Sequence, residues 1–280
     1  MQKIRMLLDN ATNTANLTLE KGDELLLLGI NNLTTYSNSH IFRTPTLDEI
    51  IIKGTFNGFK SISGLVMHRH NLSATAKWRV EIFNGDKQDG QVLLDTGLVS
   101  VFETKSLGEL EWGVDDLVEA IGDEWDIRYK PLWFDPVLAW SFRITIQDPD
   151  NTDGYINIAR LYFGKVFEPW INFSLGSQNQ VDADEDLIRT KGASLHTIKK
   201  SKQYRRFGFQ FKHLAIDDRD EFYDHVYQGT SAVDFFVSLY PGSGGKHEHH
   251  HAMACKFKVL PPFTHNLEQF WQVPVVIEEC

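Results

Sequence analysis

From Ala76 to Asn84 apolar and charged residues alternate, so that Trp78, Val80 and Ile82 fall on one side of an extended chain and Lys77, Arg79 and Glu81 on the other. Successive side chains of a strand point to opposite faces, and period two therefore predicts a half-buried strand. Residues 140–148 repeat the pattern, with Trp140, Phe142, Ile144 and Ile146 inward and Ser141, Arg143, Thr145 and Gln147 outward. The turn formers DPDNTDG (148–154) then lead into YINIARLYFG (155–164), which predicts two neighbouring antiparallel strands joined by a tight connection. Further strands are predicted over 48–56, 61–69, 91–99, 205–214, 232–241, 250–260 and 272–279.

Helical periodicity is scarce. Residues 217–229 (DDRDEFYDHVYQG) place acids in a first turn, Phe222, Tyr223 and Val226 about one turn apart and Gly229 at the end, which predicts a helix. A second, shorter one is expected over 113–122. Many short strands with few helices predict a mainly β protein built on a sandwich rather than on βαβ units. The polar, acidic stretch 173–192 lacks periodicity and reads as a linker between a β-domain and a smaller β-rich domain with one helix, over 193–280. Residues 1–29 carry few core signals before Leu25 and are expected to dock on another domain or subunit.

Composition narrows the function classes. A formal charge of −10 over 280 residues opposes a sequence-independent grip on phosphates. The basic run His196–Phe207 reads as a lysine-protected strand edge, and no nucleic acid partner is expected. Two cysteines, Cys255 and Cys280, give no disulfide framework and suit a reducing compartment. The apolar run of the first residues ends at Leu8, and ELLLLGI (24–30) is far shorter than a membrane span, so a chain without membrane insertion is expected.

Specific residues suggest a family. NNLTTYSNSHIFRT (31–44), GLVMHRHNLSATAKWRVEIFNG (64–85) and the stretch from Trp140 to Asn172 resemble, in order and spacing, the discoidin-like or galactose-binding-like jelly roll of tail proteins from long-tailed bacteriophages. The likeness is carried by the H-N-L-S element (His70 to Ser73) and by D-x-x-N-x-D-G-Y-I-x-I-x-R-L-x-x-G (Asp148 to Gly164), and it covers about residues 30–170 of a jelly-roll domain placed at 30–172. The resemblance implies a minor tail or baseplate protein of the virion, assembled in the host cytoplasm into rings at the tail tip with other tail proteins. It does not by itself imply sugar binding. A module that touches a host-surface glycan through its loops is the rival reading.

Candidate chemistry concentrates in GGKHEHHHAMACKF (244–257). If residues 247–255 are extended, His247, His249 and His251 share a face with Cys255 further along, a candidate set for Zn²⁺ or Ni²⁺. Alternate residues of one strand lie about 7 Å apart, however, whereas a tetrahedral site draws ligands from more than one element. A polar strand at a protein interface is the rival explanation, and no cofactor is expected. DPDNTDGY departs from the calcium-loop pattern at Thr152 and Ala159 and reads as a turn. Trp112, Trp125 and Trp133, among carboxylates in an irregular stretch, are candidates for a ligand site or a subunit contact, and Arg160 is expected to pair with a carboxylate of the first half. No G-x-S-x-G, P-loop, H-E-x-x-H or dinucleotide fingerprint occurs, so the expectation is a non-enzymatic protein.

Overall fold

The computed structural model describes residues 2–35, 37, 39–102, 127–229, 231–242 and 245–280. The chain divides into two compact units, one of Leu7–Val166 and one of Met1–Met6 with Phe167–Cys280. Strand β1 (Arg5–Leu7) opens the chain. Strands β2 (Asn16–Lys21), β3 (Phe42–Thr44), β4 (Ile50–His70), β5 (Lys77–Phe83), β6 (Val92–Asp95), β7 (Val99–Ser100), β8 (Tyr129–Gln147) and β9 (Ile156–Gly164) follow in the first unit.

Two long strands organise that unit. The first part of β4 runs beside β2 and pairs with the end of β8, from Ile50 opposite Ile146 to Thr55 opposite Ser141. The end of β8 also pairs with β5, which carries β6 and β7. Beyond a slip between Thr55 and Lys60 the same two strands continue together, and the last part of β4 now lies between β8 and β9, with β3 outside β9. One pair of bent strands thus contributes to both layers of a jelly-roll sandwich. Ile50, Ile52, Trp78, Val80, Ile82, Ile144 and Ile146 from one layer and Phe42, Leu65, Met67, Ile156, Ile158 and Leu161 from the other form one buried cluster. Phe142 bridges the layers, 5.3 Å from Phe56 and 4.5 Å from Phe163 between ring centroids. Its ring lies over Gly54, where a Cβ would collide with it.

The alternation predicted over 140–148 holds after the bend, and the phase of β8 reverses at the bend and again near the slip between Ile62 and Gly64, before which Leu132 and Phe134 pack on the core. Val137 and Ala139 face the core before the bend, and Phe142, Ile144 and Ile146 after it. Trp140, expected inside, stands at the reversal and is half-buried, edge-on to Phe59 at 4.6 Å. Strands expected separately over 48–56 and 61–69 are the single strand β4. The tight connection expected to join two paired strands instead carries the chain from β8 to β9 across the end of β4, since both pair with β4 and lie on opposite sides of it. Arg160, on β9, is fully buried, and its guanidinium donates to the Leu33 carbonyl at 3.2 Å and to Asn13 Oδ1 at 2.6 Å.

In the second unit come β10 (Gln178–Asp182), β11 (Glu185–Arg189), β12 (Leu195–Lys199), β13 (Tyr204–Ala215), α1 (Ile216–Gly229), β14 (Phe235–Ser238), α2 (Gly245–His250), β15 (Ala252–Val259), β16 (Thr264–Leu267) and β17 (Phe270–Glu279). Among the described residues the sheet order is β1-β14-β15-β17-β13-β10, with β16 beside β17. The predicted helix is α1, and its Phe222 sits among Phe167, Phe211 and Phe257 at 5.3, 5.9 and 6.1 Å. The stretch 173–192, expected as a linker, contains β10 and β11. The basic run beginning at His196 is divided between β12 and β13, where Arg206 bonds Asp182 at 2.8 Å and Glu278 at 2.6 Å and Arg205 is held by Glu279. No helix among the described residues is long and apolar enough to cross a membrane.

Candidate functional site

The two segments that carry the sequence resemblance meet in space, through one buried carboxylate. Asp148, directly after β8, is fully buried, and its Oδ2 accepts from the Ser73 amide at 2.9 Å and from Asn151 Nδ2 at 2.8 Å while its Oδ1 accepts from Ser73 Oγ. Asn151 Nδ2 also donates to the Asn71 carbonyl at 3.0 Å, and Asn71 Nδ2 donates to Asp153 Oδ2 at 2.8 Å and to the Tyr155 carbonyl at 3.0 Å. Asn71 Oδ1 in turn accepts from the Asn157 amide at 2.7 Å. Gly154, at φ +74°, turns the chain within this knot. These side chains occur here because short amides and carboxylates satisfy loop amides that no ladder reaches. The oxygens of Asp148 face N–H and O–H donors, so they are not free to ligate a calcium ion.

His70 begins the same segment. It is buried, and its Nδ1 accepts from the Leu72 amide at 3.3 Å, which assigns the ring proton to Nε2. Burial, reinforced by the Arg128 and Lys130 cations, lowers its pKa to about 3.

The histidine cluster is built differently from the expectation. Residues 245–250 form a short helix and the strand begins only at Ala252, so His247, His249 and His251 do not alternate along one extended face. His247 and His251 lie one helical turn apart, with ring centroids at 4.7 Å, and both rings pack on Tyr240 at 5.0 Å. The His251 Nδ1 bonds the His247 carbonyl at 2.8 Å. His249 is half-buried, and burial, together with the Arg205 and His250 charges, lowers its pKa to about 3. Glu248 fixes the turn by accepting from the Gly242 amide at 2.9 Å and from Ser238 Oγ. Cys255 is buried in β15 and burial raises its thiol pKa, which opposes a ligating thiolate. Among the described residues no group of three or more His, Cys, Asp or Glu is arranged to hold a metal ion.

Trp133, on β8, is half-buried, and its ring lies across Gly64 of β4, where a Cβ would approach it to 2.9 Å. Trp112 and Trp125, like the helix expected over 113–122, lie outside the described residues. Three further surfaces, none of them a candidate site by sequence, are exposed. The first is Phe59 and Leu138 at the bend, beside the half-buried Trp140. The second is a loop in which Leu26 and Leu27 are 98% and 86% exposed. The third is the β11–β12 hairpin, exposed along its whole length, including Leu187, Ile188, Leu195 and Ile198. Apolar residues at those positions were legible in the sequence, but only tertiary structure reveals that nothing in the described chain covers them.

A hollow of about 370 Å³ on the outer face of β2, β4, β8 and β5 is lined by Glu20, Glu49, Glu81, Arg79 and Arg143. Its charges are matched internally: Lys53 bonds Glu20 at 2.7 Å, and Arg79 bonds Glu81 at 3.2 Å and Asp95 at 2.6 Å. Hydrogen bonding to Arg79 brings Asp95 to a pKa of about 2, and bonds from Lys21 and Gln147 lower that of Glu49. Such carboxylates hold cations rather than offer a proton near neutral pH.

No family model matches this sequence, and no curated protein does. Solved structures do. The family 32 carbohydrate-binding module of Streptococcus pneumoniae EndoD is similar over 56% of this chain and 99% of that one, at 13% identity and a TM-score of 0.39. CpGH89CBM32-5 from Clostridium perfringens, in complex with GalNAc-beta-1,3-galactose, is similar over 57% of this chain and 99% of that one, at 11% identity and a TM-score of 0.38. A Ruminococcus gnavus GH29 fucosidase in complex with fucose is similar over 56% of this chain, at 12% identity and a TM-score of 0.37, and the match covers only 26% of the fucosidase. The likeness is a distant one to galactose-binding-like jelly rolls, and none of these three is a phage tail protein.

The carboxylate knot generates one prediction. Asp148→Asn places an amide among donors and lowers the unfolding free energy by about 3 kcal/mol, whereas Asp153→Asn, at an exposed position, costs under about 1 kcal/mol. Urea denaturation measures both, and added calcium leaves the wild-type midpoint unchanged. His70 generates another. An unfolded histidine titrates near 6.5. Below that pH the unfolded chain takes up a proton that the folded chain refuses until about 3. This contribution is therefore complete above pH 6.5 and is lost as pH falls, by up to about 1.4 kcal/mol per pH unit. Long-range proton–nitrogen NMR is expected to find His70 neutral at pH 5 with its proton on Nε2, and an imidazolium there would contradict the account.

Proposed function

We propose that this chain is a non-enzymatic assembly protein that acts by protein–protein contact. The observation that carries the reading is the β11–β12 hairpin. It forms a two-stranded sheet of its own, joined to no other strand among the described residues. A lone hairpin is marginal in water at best. This one also exposes four large aliphatic side chains, split between its two faces. A partner that covers the hairpin removes that apolar surface from water and supplies the packing that the hairpin lacks. The resemblance of the H-N-L-S and D-x-x-N-x-D-G-Y segments supports a tail tip or baseplate of a phage virion as the assembly, built in the host cytoplasm with other tail proteins.

A second reading, binding of a host-surface glycan, is favoured by the Phe59–Trp140 pair. Aromatic faces beside Asn57 and Lys60 on an exposed bend are suited to stack on a sugar ring. Glycan-array binding that is lost in Trp140→Ala is the result that would move the conclusion to this reading.

Quantitative peptide mass spectrometry on gradient-purified phage particles, with isotope-labelled standards, tests the assembly reading. A fixed, small copy number per particle is expected, and absence from intact particles would overturn the tail-tip assignment.

A further inference from the structure

The segment from Gly22 to Ile41 contains two acids, Asp23 and Glu24, and no Lys or Arg. Its backbone is tied down. The Leu28 amide bonds the Leu25 carbonyl at 2.9 Å, the Arg43 amide bonds the Leu28 carbonyl at 2.9 Å, and Asn32 Nδ2 bonds the carbonyls of Leu27 and Ile41 at 3.3 and 2.8 Å. Glu24 accepts from the Ile30 amide. Leu26 and Leu27 are consequently held outward on a built loop, 98% and 86% exposed. Such a pair leaves water only against another surface.

The hairpin offers a surface of opposite charge. Its register places Leu187 opposite Thr197, Arg189 opposite Leu195 and Glu185 opposite Lys199, so Leu187 and Leu195 share one face with Arg189, Lys199 and Glu185, two cations against one carboxylate. From Glu185 to Lys200 four basic residues stand against two acidic ones, in a chain whose formal charge is −10. We infer that this face of the hairpin of one copy closes over the leucine loop of a second copy, an inference that rests on the assembly reading above. Apolar side chains meet at the centre of the contact, and Arg189 and Lys199 meet Asp23 and Glu24 at its rim. The two surfaces differ, so the contact is head-to-tail. Every copy has one of each to offer, and repetition yields a ring where the rotation closes.

The test mixes two full-length chains, Leu26→Cys and Leu195→Cys, each also carrying Cys280→Ser, under a mild oxidant. A disulfide-linked dimer is expected in the mixture well above the amount in either chain alone. In analytical ultracentrifugation Leu26→Asp is expected to weaken self-association by about tenfold or more. High salt is expected to weaken the wild-type contact. Both positions are exposed, so matching thermal unfolding of variant and wild type secures the fold. An oligomer by ultracentrifugation that neither cross-links in the mixture nor responds to Leu26→Asp would overturn this contact and leave the assembly reading standing. A monomer that sediments with phosphatidylcholine vesicles would overturn it in favour of a lipid surface. A monomer found in virions at fixed copy number would overturn it in favour of a different tail protein as the occupant.

Discussion

The jelly roll is closed at one end by a buried carboxylate. Asp148 directly follows β8, and the bonds it accepts from Ser73 and Asn151 join the loop after β4 to the loop before β9. A buried charge is tolerated only where donors surround it. Here those donors are the loop amides and side chains that would otherwise lack partners, so the loops and the carboxylate satisfy one another. The strands depend on this closure. β8 and β9 are not hydrogen-bonded neighbours, and the connection between them must cross the end of β4, which it does through Asn151, Asn71 and Asp153.

Elsewhere, among the described residues, many charged side chains are paired within the chain itself. Arg79, Arg143 and Lys53 neutralise the carboxylates on the outer face of the sandwich, and Arg205 and Arg206 bind the carboxylates at the end of β17. In the histidine-rich helix Glu248 holds backbone, and His247 and His251 pack on Tyr240. Unmet demand lies on the apolar side, in the leucine loop, the bend at Trp140 and the hairpin. The proposed assembly function rests on that distribution.

Alternation made the β-class of the fold legible, because inward Val80, Ile82, Ile144 and Ile146 keep their phase through regular strands. It could not reveal that the phase reverses at Trp140, since the reversal depends on a slip in the ladder between β4 and β8, a property of pairing rather than of either strand. The helix at 217–229 was legible from its acids and its Phe222 and Val226 spacing. The histidines were misread as strand because polar residues at consecutive positions carry no period, and only Glu248, anchored to Gly242, marks the helical turn. The H-N-L-S and D-x-x-N-x-D-G-Y elements were singled out in the sequence for the resemblance they carry, and the second also as a run of turn formers. That they bond to each other, more than seventy positions apart, needed the fold.

Hydrogen–deuterium exchange of the β11–β12 amides is the most direct measurement, with the chain dilute in solution and then within the intact assembly. A hairpin completed by a partner would exchange quickly in the dilute chain and slowly in the assembly, while the β4 and β8 amides remain protected in both. Equal, fast exchange of residues 185–199 in the two states would contradict the claim that this protein works by having its hairpin covered.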